Sequence, residues 1–175
     1  MLMSKEMNDR LNEQIGNEFG ASLQYVAIAA HFDREGLPAL ARHFYRQANE
    51  EREHAMRFVK YVVDADGSLN IPAVPACKCD FDSAEEAVRL SLDWEMTVTK
   101  QINDLVDLSI REKDHMSKNF LDWFVKEQLE EVSSMDTLLR MVRRAGEKGL
   151  LFVENYLMQR GGPGLSHAGE GGNDE

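Results

Sequence analysis

Glu18, Glu51, His54, Glu95 and Glu131 stand in this 175-residue chain at positions where apolar side chains are expected. Each lies in a stretch whose apolar residues recur at alternating spacings of three and four. The first stretch reads Leu11, Ile15, Glu18, Ser22, Tyr25, Ala29, and the second Leu40, Phe44, Gln47, Glu51, His54, Phe58, Tyr61. The third reads Val88, Leu92, Glu95, Thr99, Ile102, Val106, and the fourth Phe120, Phe124, Glu127, Glu131, Ser134, Leu138, Met141. This spacing lays each set along the buried face of a helix. A carboxylate there costs several kcal/mol unless it is paired or holds a metal ion. Four helices that each place one near mid-length point to a single polyvalent site.

The chemistry follows from the residue types. Glu51 and His54, three residues apart, share a helix face and can hold one ion together. Glu18 can join them, while Glu95 and Glu131 face back with Glu51 as a bridge. Carboxylates with one imidazole suit iron or manganese, and a site so poor in thiolate does not resemble structural zinc. The competing reading is a buried salt-bridge network, but the four seams contain no lysine or arginine to neutralise the acids. The metal reading is therefore preferred.

Other candidates carry less. Tyr25, seven residues after Glu18, can supply an electron or a hydrogen bond to a ligand, and spacing alone fits a core tyrosine equally well. Trp123 reads as core packing. Cys77 and Cys79 are too close in sequence to bridge each other, form an incomplete thiolate site, and read as bystanders. His31, His43, His115 and His167 read as surface or internally satisfied histidines. Neither a glycine-rich phosphate loop nor a serine nucleophile elbow is found.

The elements that must position these groups are all helical. Helical patterns run from about Ser4 to Arg34, from Pro38 to Ala65, from Ser83 to Arg111, and from a turn at Glu112–Asp114 to Gly146. Ser83 with Glu86 has the spacing of a capping box. A shorter fifth helix fits Gly149 to Gln159. Residues 1–160 thus form one domain, and 161–175, with six glycines, read as a mobile tail.

Each long helix spans roughly 42 to 48 Å at its rise per residue. The connections after the first and third helices are short, which makes those pairs antiparallel. Residues 67–82 contain Pro72 and Pro75, and when extended they can cover about 50 Å, the length of the bundle. The expectation is an all-α four-helix bundle with a long crossover between the second and third helices, plus a short fifth helix. Glutamates near the helix midpoints meet at one level whichever way each helix runs.

Composition narrows the function classes. A net charge of −11 argues against nucleic acid, whose phosphates need basic partners, and suits a protein that attracts cations. No stretch approaches the roughly 18 uninterrupted apolar residues of a membrane helix. Met1 to Arg10 lacks the apolar run of a secretory signal, so a reduced cytoplasmic setting is expected.

With the residues in view, the chain resembles the bacterial non-haem ferritins. The likeness lies in Asn17-Glu18-Phe19, Tyr25-Val26-Ala27, Glu50-Glu51-Arg52-Glu53-His54, Glu95 and Glu127-Gln128-Leu129-Glu130-Glu131, and it covers about Ser4 to Gln159. It is similar to the actinobacterial type with an extended C-terminal tail. The resemblance implies a first iron site of Glu18, Glu51 and His54, and a second of Glu51, Glu95 and Glu131 with Gln128 hydrogen-bonding nearby. It implies a third, more labile site of Glu50, Glu127, Glu130 and Glu131, and a role for Tyr25 in electron transfer. It also implies a hollow homo-oligomeric shell of 24 subunits, with the fifth helix near the four-fold axes.

Departures from related families sharpen the expectation. Bacterioferritin carries a second Glu-x-x-His, which here falls on Glu130, and its haem-ligating methionine falls on Arg52, so haem is not expected. The pore carboxylates of animal ferritins align with Lys118 and Leu121, which puts an acidic three-fold pore in question. The expected function is ferroxidase and iron storage. Ferrous ions bridged by Glu51 would give two electrons to dioxygen or peroxide, and the ferric product would be stored as an oxide mineral. The competing functions are a peroxide-scavenging di-iron reductase without storage and a DNA-coating mini-ferritin. The first normally brings Cys-x-x-Cys motifs that are absent here, and the acidic charge disfavours the second.

Overall fold

The computed structural model describes residues 2–160, so the tail expected over 161–175, with His167, lies outside the described residues. Four long helices, α1 (Lys5–Arg34), α2 (Pro38–Asp64), α3 (Ala84–Glu112) and α4 (His115–Ala145), precede a short α5 (Leu150–Arg160). A single 3-10 turn, Glu147–Gly149, stands where the fifth helix was expected to begin. Local chemistry sets these limits. Ser4, Ser83 and Asp114 side chains accept hydrogen bonds from the backbone N–H three residues on, capping α1, α3 and α4. Lys113 in the left-handed conformation (φ 58°) stops α3, and Gly146 (φ 61°) follows the end of α4. The Ser83–Glu86 box is altered: the Glu86 carboxylate reaches back to the Asp82 N–H at 2.7 Å, one residue beyond the cap.

The crossover runs alongside α1 and in the same direction. Asn8 and Asn12 amides donate to the Ser68 carbonyl at 3.1 and 2.9 Å, and Gln24 exchanges two hydrogen bonds with the Lys78 backbone at 2.7 and 2.9 Å. Between them, Pro72 lies so close to Gly16 that a Cβ there would enter the proline ring. That contact explains a glycine inside α1, where it otherwise costs about 1 kcal/mol. The path carries the chain from the end of α2 back to its start, so α2 and α3 are parallel within two antiparallel pairs, as expected.

Apolar side chains gather into two clusters. One joins Ile28 and Phe32 of α1, Leu40 and Phe44 of α2, Val88 of α3 and Leu138 of α4. The other joins Leu11 and Ile15, Phe58 and Val62, Ile102 and Leu105, and Phe124. In every helix the glutamate lies between the two, so the bundle has a polar layer at mid-height.

Two of the four expected seams are rotated. In α4, Gln128 and Met135 are buried, Ser134 is exposed, and Phe120 and Met141 are only half-buried. In α3, Ser91, Val98 and Leu105 turn inward while Leu92, Thr99 and Val106 are half-buried. A three-four pattern can be threaded through neighbouring residues about 100° apart, and packing chooses between the threads.

α5 closes one end through a carboxylate. The N-cap position of α2, Leu37, provides no side-chain hydrogen bond. Buried Glu154 of α5 does so instead, accepting from Ala39 N and Leu40 N at 2.8 Å each. Glu147 likewise accepts from Ala84 N, at the start of α3, at 3.1 Å. An anion on a helix N-terminus combines hydrogen bonding with the helix dipole. Glu154→Ala is therefore expected to destabilise the metal-free protein by about 2 to 3 kcal/mol. Chemical denaturation checks this, and a change under half a kcal/mol would remove the cap from the account.

Candidate metal centre

Each helix delivers one carboxyl to the mid-height layer. Glu18, Glu51, Glu95 and Glu131 are all buried, with Glu131 the outermost at 7% exposure and Glu18 fully enclosed. Their ligand atoms, with His54 and Glu127, fall into three overlapping groups whose members lie within 4.8 Å of one another. The first is Glu18, Glu51 and His54, and the second is Glu51, Glu95 and Glu131. The third is His54, Glu127 and Glu131. Glu51 is common to the first two groups, so it sits where a bridge must.

The groups lack basic partners. Among the described residues the ion pair in this layer is His54 Nδ1 to Glu51 Oε2, at 3.4 Å. No lysine or arginine among the described residues reaches Glu18, Glu51, Glu95 or Glu131. Two buried oxygens, Glu18 Oε2 and Glu51 Oε1, have no hydrogen-bond partner. Burial raises the Glu18 and Glu51 carboxyls well above the usual range, with their acidic neighbours adding to the effect. Burial and then Glu95 push Glu131 up to about 8. Metal-free, the layer is thus held together by protons where a cation of high charge would serve better. Hard oxygen donors with one imidazole fit iron or manganese.

Hydrogen bonds orient the carboxyls without neutralising them. Tyr25, buried, donates to Glu95 Oε1, and burial, followed by the charge of Glu95, raises its own phenol well above the ordinary value. Gln128 donates to Glu95 Oε2 at 3.2 Å and is itself steadied by Thr99 at 3.3 Å. Gln14 donates to Glu18 Oε1 at 2.8 Å, and Gln47 to Glu131 Oε2 at 3.0 Å. Sequence reasoning assigned no site role to Gln14 or Gln47. For Gln14 the available signal was its place four residues before Glu18, whereas Gln47 bonds across the bundle and no local spacing announces that contact.

The residues expected at a third site are only partly brought together. Glu127 and Glu131 come together with His54, which the sequence reading gave only to the first site. Glu50 is half-buried near this edge, its carboxyl raised by burial and by Glu127 and lowered by Arg46 and His54. Glu130 is exposed and outside the three groups, because neighbouring residues on a helix point about 100° apart and Glu131 takes the inward direction.

Trp123 packs edge-on against His54 with ring centroids 5.4 Å apart, and the Arg57 guanidinium lies over the Trp123 ring, 3.8 Å from its centroid. His31 is enclosed between Phe32 and Phe81, and burial lowers His43 to about 4. His115 is exposed. Cys77 and Cys79 remain free thiols on the crossover. Leu121 is packed in the core and Lys118 is paired with Asp122 at 2.8 Å. Among the described residues no helix is long and apolar enough to cross a membrane.

Known proteins match this architecture closely. The sequence matches the ferritin-like domain over residues 8–145. Ferritin BfrB of Mycolicibacterium smegmatis is 47% identical over 148 residues, which is 84% of this chain and 81% of that protein. The bacterial non-heme ferritin of Staphylococcus aureus is 35% identical over 146 residues, covering 83% of this chain and 88% of the relative. In three dimensions the chain is similar to the open pore ferritin of Archaeoglobus fulgidus, with a TM-score of 0.86, 34% identity, and coverage of 89% and 96%. On the four-helix fold, the crossover, the fifth helix and these relatives together, the chain belongs to the ferritin family.

Proposed function

We propose that this protein oxidises Fe(II) at a di-iron centre inside each subunit and stores the Fe(III) product as oxide mineral within a hollow homo-oligomeric shell of 24 copies. The observation that carries the reading is the overlap of the first two groups on Glu51, with no lysine or arginine among the described residues to compete for it. Glu18 and His54 complete one position, and Glu95 and Glu131 the other. Two Fe(II) ions each lose one electron, and dioxygen takes the pair with two protons to give hydrogen peroxide. Hard carboxylate donors favour the ferric product.

The protein's own groups prepare that step. Carboxyl protons leave as the ions bind, because the buried layer holds either protons or metal. Tyr25 anchors Glu95 beside the pair, its phenol donating a hydrogen bond to Oε1 of that carboxylate. Gln128 fixes the second Glu95 oxygen. Glu127, with half-buried Glu50, extends the donor set outward from the pair.

Sizing in solution with iron loading tests the proposal. The expected result is a particle of about half a megadalton that oxidises Fe(II) in air and retains it as mineral. A dimer that consumes peroxide and retains no iron would instead establish the reductase reading.

A further inference from the structure

We propose that Gln47, through its hold on Glu131, sets how that carboxylate is divided between two metal groups, one with Glu51 and Glu95 and the other with His54 and Glu127. The inference rests on the metal-centre reading above and deepens it. Glu131 is a member of the second and third groups, and His54 of the first and third. The third group can therefore fill only by drawing ligands from the buried pair. It also lies nearer the surface, since Glu127 is half-buried whereas Glu18, Glu51 and Glu95 are enclosed. Whichever contact fixes Glu131 thus sets whether an ion stays in the pair or moves to its rim.

Gln47 makes that contact. It is 4% exposed, one helical turn before Glu51 on α2, and its amide donates to Glu131 Oε2 at 3.0 Å. A neutral amide ties down one oxygen and leaves the other free for a cation, and it does so without supplying a charge that would compete. The other two glutamines act on unshared ligands. Gln14 binds Glu18 and Gln128 binds Glu95, each a member of one group. Gln47 alone among these three acts on a carboxylate with two destinations.

The test uses Zn(II), which is redox-inert, added at two equivalents per subunit to the metal-free assembled protein and located by anomalous diffraction. Gln47→Met keeps the length of the side chain without the amide, and Gln47→Leu provides a second apolar variant if the first does not assemble. The unsubstituted protein should hold Zn(II) in the first and second groups. The variants should change the ratio of second-group to third-group occupancy about 10-fold. The visible spectrum of bound Co(II) should change in the same variants. A packing role alone would lower the melting temperature and leave the Zn(II) distribution unaltered, which would overturn the proposal. Zn(II) absent from all three groups in the unsubstituted protein would overturn the metal-centre reading as well.

Discussion

Glu51→Gln should reduce the initial rate of Fe(II) oxidation by on the order of 100-fold or more while the shell still assembles. The size of the effect follows from position. Glu51 is the carboxylate shared by the first and second groups, so losing its charge weakens both iron positions together. Loss of Glu18 or Glu95 would weaken one position each. The substitution changes shape hardly at all, and the metal-free protein should become more stable above neutral pH. Glu51 is a buried acid beside Glu18, Glu95 and Glu131, and a neutral amide removes that repulsion. His54→Ala should approach the same kinetic loss, since the imidazole belongs to the first and third groups. Stopped-flow absorbance reads the rates and light scattering the assembly. Oxidation at an unchanged rate in both variants would refute the placement of the centre.

The metal-free protein is expected to lose stability as pH rises from about 4.5 to about 8, and divalent metal should restore it. The sign comes from the raised carboxyls. Glu131 keeps its proton up to about 8 in the folded chain, whereas an unfolded glutamate gives it up near 4.5. Below the lower value both states are protonated and nothing is lost. Between the two values the folded state binds more protons, so the unfolding free energy falls with pH. Glu131 contributes about 5 kcal/mol across that window, with Glu18, Glu51 and Glu95 shifted in the same direction. Zn(II) replaces those protons, so its binding near pH 7 should release protons and flatten the slope. Melting curves across the pH range, with and without Zn(II), measure the first effect. Calorimetry in two buffers of different ionisation enthalpy measures the second. A metal-free stability that climbs toward pH 8 would contradict the protonated layer.

These expectations depend on features with different origins. The long helices, the cap at Ser83, and the lengths that make the crossover span the bundle were all legible in the chain. So was the gathering of Glu18, Glu51, His54 and Glu95 in one buried layer. Each of these is written in residues three, four or a few positions apart, which a helix brings together by its own geometry. The level at which four glutamates meet needed only that each lie near its helix midpoint.

What the chain alone left open concerns the rotation of one helix against another. A partial turn of α4 keeps Phe124, Glu131 and Leu138 buried, takes in Gln128 and Met135 where Glu127 and Ser134 were expected, and leaves Glu127 half-buried by His54. No local spacing encodes that turn, because the packing of Phe124, Leu138 and their partners across the bundle fixes it. The bonds from Gln47 to Glu131 and from Glu154 to the start of α2 span 84 and 114 to 115 residues, and they exist only once the helices are docked. The sequence determined which groups could bind metal and at what height. Tertiary packing decided how those groups share their ligands, since one residue of helix rotation redirects a carboxylate by about 100°.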